Sequence, residues 1–220
     1  MTTKNQQGSI HSLSSLPSKI AAVLVVLLLL NLAVLAWRWV TVSSLPPGTY
    51  HAYHISEWQQ ASIERPDDPI VWSTLGGLYD AAGEHRKALA AHQRAEELDP
   101  NNAAALLYLA AVDVDNEDWD RARARLLTAA AALPEGGAQL AYYRLGEIEE
   151  TVGDFDKAIE YYEASVAERP TYWNAHFRIA ALHERAGRSE EALIAAEKAA
   201  RFAPDDDEVM AMLSRLRDTP

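Results

Sequence analysis

Five prolines, Pro66, Pro100, Pro134, Pro170 and Pro204, are separated by 34, 34, 36 and 34 residues. Repetition at such a period is the sequence mark of a stacked helical array. The residues ahead of each proline keep the same step. Ala88-Leu89, Ala122-Arg123, Ala158-Ile159 and Ala192-Leu193 each lie 12 and 11 residues before a proline. Gly83, Gly153 and Gly187 stand five residues before that Ala. A Gly at such a place tolerates the positive φ that follows a helix end. The proline suits the first turn of the next helix, or the residues just before it, because its φ is already fixed. Each period therefore predicts two antiparallel helices. One such unit cannot bury its apolar face alone, so stacking of neighbours makes the core.

The residues that recur are more specific than the period. Trp72, Leu75, Gly76, Tyr79, Gly83, Ala88, Ala95 and Pro100 form one set. Tyr142, Leu145, Gly146, Gly153, Ala158, Tyr162 and Pro170 form another. Ile179, Ala180, Gly187, Ala192, Ala199 and Pro204 form a third, and Leu109, Ala110, Ala122, Leu126, Ala129 and Pro134 a looser fourth. With this spacing the chain resembles the tetratricopeptide-repeat family over residues 69–206. The resemblance implies an all-α tetratricopeptide-repeat solenoid with repeats at 69–102, 103–138, 139–172 and 173–206. Two departures predict an irregularity between the second and third. Glu117 stands where the turn Gly should be, and Glu135-Gly136-Gly137-Ala138 lengthens the next junction by two residues.

Such an array needs its ends covered. Downstream, Asp205-Asp206-Asp207 offers helix caps, and Val209, Met212, Leu213 and Leu216 form one apolar stripe. Residues 207–217 read as a closing helix. Upstream, residues 49–66 have the phase of a second helix of a repeat and read as a capping half-repeat, with Ile55, Trp58, Ala61 and Ile63 facing the first repeat.

The N-terminal part is of a different kind. Residues 1–19 read as a polar tail, 20–40 as one transmembrane helix and 41–48 as a short linker. Ile20 to Trp37 contains a single polar side chain, Asn31. At ~1.5 Å per residue these residues span roughly 27 Å, about one hydrocarbon thickness. Trp37 and Trp39 flank Arg38, as an interfacial aromatic belt with a snorkelling cation would. A cleaved signal peptide is the rival reading, but its apolar core is shorter and ends at a clean small-residue site, which Val34-Leu35-Ala36 matches poorly. Asn31 is either a hydrogen-bonding contact to a partner helix in the bilayer or a tolerated single amide. Lys4 and Lys19 precede the span and only Arg38 closely follows it. That bias orients the N-terminus to the cytoplasm and the repeats to the extracytoplasmic side.

Charge and composition narrow the function. All 32 acidic residues lie from Glu57 onward, against 17 Lys and Arg after residue 40, so that part carries a formal −15. Nucleic acid needs a basic face, and so does adhesion to anionic lipid. Neither partner is expected, nor is a small-molecule substrate. The absence of Cys removes thiol chemistry and Cys-ligated metals. The histidines lack the spacing of a zinc helix and read as solvated or half-buried imidazoles. Asp113, Asp115, Glu117, Asp118 and Asp120 lack calcium-loop spacing and read as a solvated turn. Arg121, Arg123 and Arg125 read as pairing locally with Asp118 and Asp120. Glu149-Glu150 and Glu190-Glu191 read as exposed helix acids. No phosphate loop, nucleophile elbow or dinucleotide fingerprint occurs. No catalytic residue, metal site or cofactor is expected, and the chain is not read as an enzyme.

The resemblance further implies that the first helix of each pair lines a concave, protein-binding groove. By phase the inward positions are Ile70, Ser73, Gly77 and Asp80 in the first repeat, and Leu107, Ala111, Val114 and Asp115 in the second. Leu140, Tyr143, Glu147 and Glu150 follow in the third, and Asn174, Phe177, Ala181 and Glu184 in the fourth. The expected groove is apolar at the level of Leu107, Tyr143 and Phe177 and acidic at Asp80, Glu147, Glu150 and Glu184. It is expected to lack the Lys and Arg with which chaperone-binding relatives hold a terminal carboxylate. The partner so implied is an apolar protein segment flanked by basic residues. Two functions remain open: a membrane-tethered scaffold or adaptor that recruits or assembles partners, or a permanent accessory subunit of a large membrane complex.

Overall fold

The computed structural model describes residues 49–218 and, upstream, residues 24, 28 and 31–34, which are helical. The chain forms two compact units, 1–50 and 51–220. In the first, Leu24, Leu28, Leu32 and Val34 are exposed, as is Asn31. Among the described residues no helix is long and apolar enough to cross a membrane. The rest of the predicted span 20–40, with Trp37, Arg38 and Trp39, lies outside the described residues. So do the tail 1–19 and the linker 41–48.

From residue 49 onward the chain is ten helices in sequence. The capping half-repeat is α1 (Thr49–Glu64). The four pairs are α2 (Pro69–Ala81) with α3 (His85–Leu98), α4 (Ala103–Asp115) with α5 (Trp119–Ala132), α6 (Gln139–Val152) with α7 (Phe155–Glu168), and α8 (Trp173–Arg185) with α9 (Ser189–Phe202). The closing helix is α10 (Asp207–Arg217). Each first helix packs on its own second helix, and each second helix on the next repeat.

Local chemistry sets the boundaries. The side chains of Asp68, Asn102, Asp118, Asp154 and Asp206 accept from backbone N–H groups of the first turn of their helices. Each such cap stabilises by ~1 kcal/mol. Between the helices of a pair, Gly83, Gly153 and Gly187 have φ of 76°, 90° and 73°. In the second repeat Glu117 adopts the same left-handed geometry, at φ 59°. The turn is thus kept without its glycine, at the steric cost a side chain carries there.

The two-residue insertion after the second repeat is held from a distance. Gly136 has φ 78°. The Glu168 carboxylate, at the end of α7, accepts from the backbone N–H of Gly136 at 2.7 Å and of Ala138 at 3.4 Å. It substitutes for the side-chain cap that α6 lacks.

Packing within a pair follows a reciprocal size rule. A Cβ on Gly76 would meet the His92 ring at 2.7 Å, and one on Gly146 would meet the Tyr162 ring at 2.6 Å. The equivalent positions of the second and fourth repeats pair Ala110 with Leu126 and Ala180 with Ala196, all buried. A large ring on the second helix is admitted only where the first helix has no side chain. The proline junction has its own anchor. Trp72 Nε1 donates to the Pro66 carbonyl at 2.7 Å, and His176 Nε2 donates to the Pro170 carbonyl at 2.9 Å. His176 therefore does at the fourth repeat what the consensus Trp does at the first.

The two ends are covered unequally, with α10 packed closely on α9 and α1 only loosely on the first repeat. Ile55 packs with Leu75 and Tyr79, Trp58 lies against them, and Gln59 donates to the Tyr79 hydroxyl at 2.8 Å. Ile63, expected to pack, is 73% exposed and turns away. At the far end Met212, Leu213 and Leu216 join Tyr162, Ile179 and Ala196 in one cluster. A fully buried Leu or Met stabilises by roughly 1.5–3 kcal/mol.

Candidate protein-binding surface

The predicted groove residues do not all face outward. Ile70 and Leu140 do, at 64% and 38% exposure. Ser73 is buried, and its hydroxyl donates to the Ile70 carbonyl. Leu107 and Val114 are half-buried against the Leu126–Leu145–Ile148 cluster. Tyr143 and Phe177 are likewise half-buried against the core that contains Tyr162 and Ile179. Tyr143 lies 5.3 Å from the Tyr162 ring and 5.4 Å from that of Tyr172. Burial, with Glu147 adding to it, pushes the Tyr143 hydroxyl up to about 12. The apolar row of the groove is thus largely a seam between repeats. Asn174 is half-buried too, with its Oδ1 atom left without a hydrogen bond in the structure.

The acidic row is not bare. Asp80 lies 3.1 Å from His85, and Glu147 2.7 Å from Arg144. Glu150 accepts from the Tyr162 hydroxyl at 3.0 Å and pairs with Arg178 at 3.3 Å. Glu184 pairs with Arg215 of the closing helix at 2.8 Å, and that bond holds its carboxyl below the usual range. Arg144 and Arg178 also correct the expectation that this face lacks basic residues. Both lie on first helices; Arg144 binds Glu147 three residues on, and Arg178 binds Glu150 on the preceding repeat's first helix, 28 residues earlier. The sequence signal was present at those positions but was read as acid alone.

Other acids change character altogether. Glu149, read as exposed, is 2% exposed and pairs with Arg123 at 2.8 Å and Lys157 at 3.0 Å. Burial raises its carboxyl, but the two cations outweigh burial and the net shift is downward. Asp113, read as part of a solvated turn, is 3% exposed and is bound by Arg121 and Arg125. The arginine trio of α5 is only partly local. Arg125 reaches back to Glu96 on α3 and Arg123 forward to Glu149 on α6, so one helix ties three repeats together. Two histidines are also deeper than expected, His92 at 3% and His176 at 8% exposure. Burial lowers both pKa values, that of His92 to about 4.

What remains open on the first-helix face is a cleft of about 240 Å³ between the second and third repeats. Ala111, Val114, Trp119 and Ile148 supply its apolar wall; Asp115, Arg144 and Glu147 supply its polar edge. Of the predicted groove residues it gathers Ala111, Val114, Asp115 and Glu147. Asp115 is exposed and makes no ion pair among the described residues. The cleft is also lined by Thr151. It can accept an apolar side chain and offer it a charged neighbour.

Comparison with known proteins agrees with this geometry. A scan of protein families matches the tetratricopeptide repeat at residues 109–172 and again at 143–207. Comparison with curated protein sequences finds no match. Among solved structures the chain is similar to MamA, with 23% identity and a TM-score of 0.60, covering 73% of this chain and 96% of that one. It is similar to YrrB, described as a tetratricopeptide-repeat protein with an unusual peptide-binding site, with 22% identity, a TM-score of 0.59 and coverage of 72% and 81%. It is similar to PilF of Pseudomonas aeruginosa, with 17% identity, a TM-score of 0.69 and coverage of 76% of each chain. At these identities the likeness is one of fold. Residues 109–207 match the tetratricopeptide-repeat family, and the helices that flank them extend the same solenoid fold.

Proposed function

We propose that this protein is a membrane-tethered scaffold that holds partner proteins at the membrane surface. Residues 20–40 span the bilayer, with the N-terminus cytoplasmic and the repeats on the extracytoplasmic side. The tether concentrates the repeats near membrane partners without adding a contact. The support for it is the 18-residue apolar stretch with one polar side chain and the Lys4 and Lys19 bias before it.

The single observation that carries the binding role is the cleft between the second and third repeats. Its apolar wall accepts a side chain of Leu or Phe size, and Asp115 stands ready for a Lys or Arg on the flank of the same segment. The other acids of this face are engaged by Arg144, Arg178, His85 and Arg215, so Asp115 sets the charge preference. The fold neighbour described as carrying a peptide-binding site supports the same use of the fold.

The test is a crosslinking capture from native membranes with the full chain, quantified by mass spectrometry. Val114→Asp with Asp115→Lys should lose the captured partner, while a chain lacking residues 1–40 should leave the membrane fraction. Capture that survives the cleft substitutions sinks the binding role. One partner at fixed stoichiometry, resistant to salt, would make the protein a subunit of a membrane complex instead of an adaptor.

A further inference from the structure

A second unfilled surface of the array lies away from the inward face of the first helices. It is a cleft of about 580 Å³ where α7, α8 and α9 meet. Its floor is apolar, built from Val166, Pro170, Ile179, Ile194 and Phe202. Ile194 and Phe202 are 49% and 39% exposed, large side chains that helix formation alone gives no reason to leave in water.

The rim is polarised. Lys198 and Arg201 stand at the end near His176 and Pro170; both are exposed and neither forms an ion pair among the described residues. Proximity of Lys198 helps burial to depress the His176 pKa, which places that cation beside the ring. Glu163 and Glu191 stand at the other end, beside His183, and neither is paired either. Arg121, Arg123, Arg125, Arg144 and Arg178 are all engaged by acids, whereas Lys198 and Arg201 are two neighbouring cations on an apolar cleft that are not. Glu191 and Lys198 are seven residues apart on α9, about 10 Å along its axis.

We infer that this cleft is a second docking surface, whose occupant is a segment of another protein with an apolar stripe, an acidic residue at one end and a basic residue at the other. The acid meets Lys198 and Arg201, and the base meets Glu163 and Glu191. A separation of about 10 Å corresponds to roughly seven residues of a helix or three of an extended strand. Opposed charges at the two ends fix the direction in which the segment lies, which an apolar cleft alone could not do. The chain's own N-terminal segment does not fit, because no acidic residue precedes Glu57. A protein with this cleft and the one between the second and third repeats holds two partners at once on different faces.

The test places a photo-crosslinking benzoylphenylalanine at Ile194 in the full-length protein in native membranes. A control places it at Leu127, an exposed apolar residue of α5. Crosslinked peptides are sequenced by mass spectrometry. The expected product, enriched at position 194, is a protein segment with an acid on one side of the crosslinked residue and a base on the other. Lys198→Glu with Arg201→Glu should lower the yield about tenfold, and Lys198→Gln with Arg201→Gln should lower it less. Val114→Asp should leave it unchanged, which separates this surface from the first. A yield equal to that at Leu127, insensitivity to charge reversal, a segment without the acid, a lipid adduct, or a crosslink to a second copy of this chain each overturns the inference.

Discussion

The size rule inside each helix pair makes Gly146→Ala an informative perturbation. Helix propensity alone favours the change by ~1 kcal/mol, because Gly146 lies inside α6. Packing opposes it. The new Cβ would stand 2.6 Å from one carbon of the Tyr162 ring and 2.7 Å from the next, well inside the ~3.5–4.0 Å optimum for carbon pairs. The ring cannot step aside freely, since it is fully buried and its hydroxyl is held by Glu150 at 3.0 Å. Overpacking of this kind costs about 1–3 kcal/mol and here belongs at the upper end. The net loss is about 1–2 kcal/mol, or a fall in Tm of roughly 2–8 °C for a unit of this length. Thermal unfolding followed by far-ultraviolet circular dichroism reads it. Two companions isolate the cause. Gly77→Ala, whose Cβ meets nothing within 4 Å, should stabilise by up to ~1 kcal/mol. In a Tyr162→Leu background, which recreates the Ala110–Leu126 pairing, Gly146→Ala should become neutral or stabilising. If Gly146→Ala raises Tm in the parent chain, the close approach of glycine to ring is not what selects glycine there.

Three further expectations follow from buried charge. Glu149→Ala leaves Arg123 and Lys157 without their buried partner and should cost about 3 kcal/mol, whereas Glu190→Ala on an exposed helix start should cost a few tenths; urea unfolding compares them. Arg125→Ala should destabilise by about 2–3 kcal/mol and raise hydrogen exchange in both α3 and α4, because it binds Glu96 and Asp113 together. For pH, the folded pKa of His92 lies near 4, below its ordinary 6.5, so its contribution is complete above pH 6.5 and is lost as pH falls toward 4. Glu149, also depressed, begins to lose its contribution only below pH 4.5. Stability should therefore decline in the His92 window first, and His92→Leu should flatten that part of the profile measured by thermal unfolding.

The groove shows why some of the site was legible in sequence and some was not. Phase along a helix identifies the face on which Val114, Asp115 and Glu147 lie, since 3.6 residues per turn is a local property. Phase does not say what a neighbouring repeat brings to that face. Glu184 is neutralised by Arg215, 31 residues later, and Glu149 by Arg123, 26 residues earlier. Ser73, Tyr143 and Phe177 were placed outward by the same phase, yet the adjoining helices cover them wholly or in part.

That Glu117 keeps the left-handed turn without a glycine emerged only in the structure. The sequence by itself determined the repeat: its 34-residue step, its two helices, and the Asp cap of the closing helix. Each of these depends on backbone conformations fixed within a few residues, so residue type and spacing suffice. Only the tertiary structure decided which acids and bases stay free to meet a partner, and which apolar residues are left open at Ile194 and Phe202. Those outcomes depend on how close the stacked repeats bring side chains separated by about one period, a distance that no local pattern encodes.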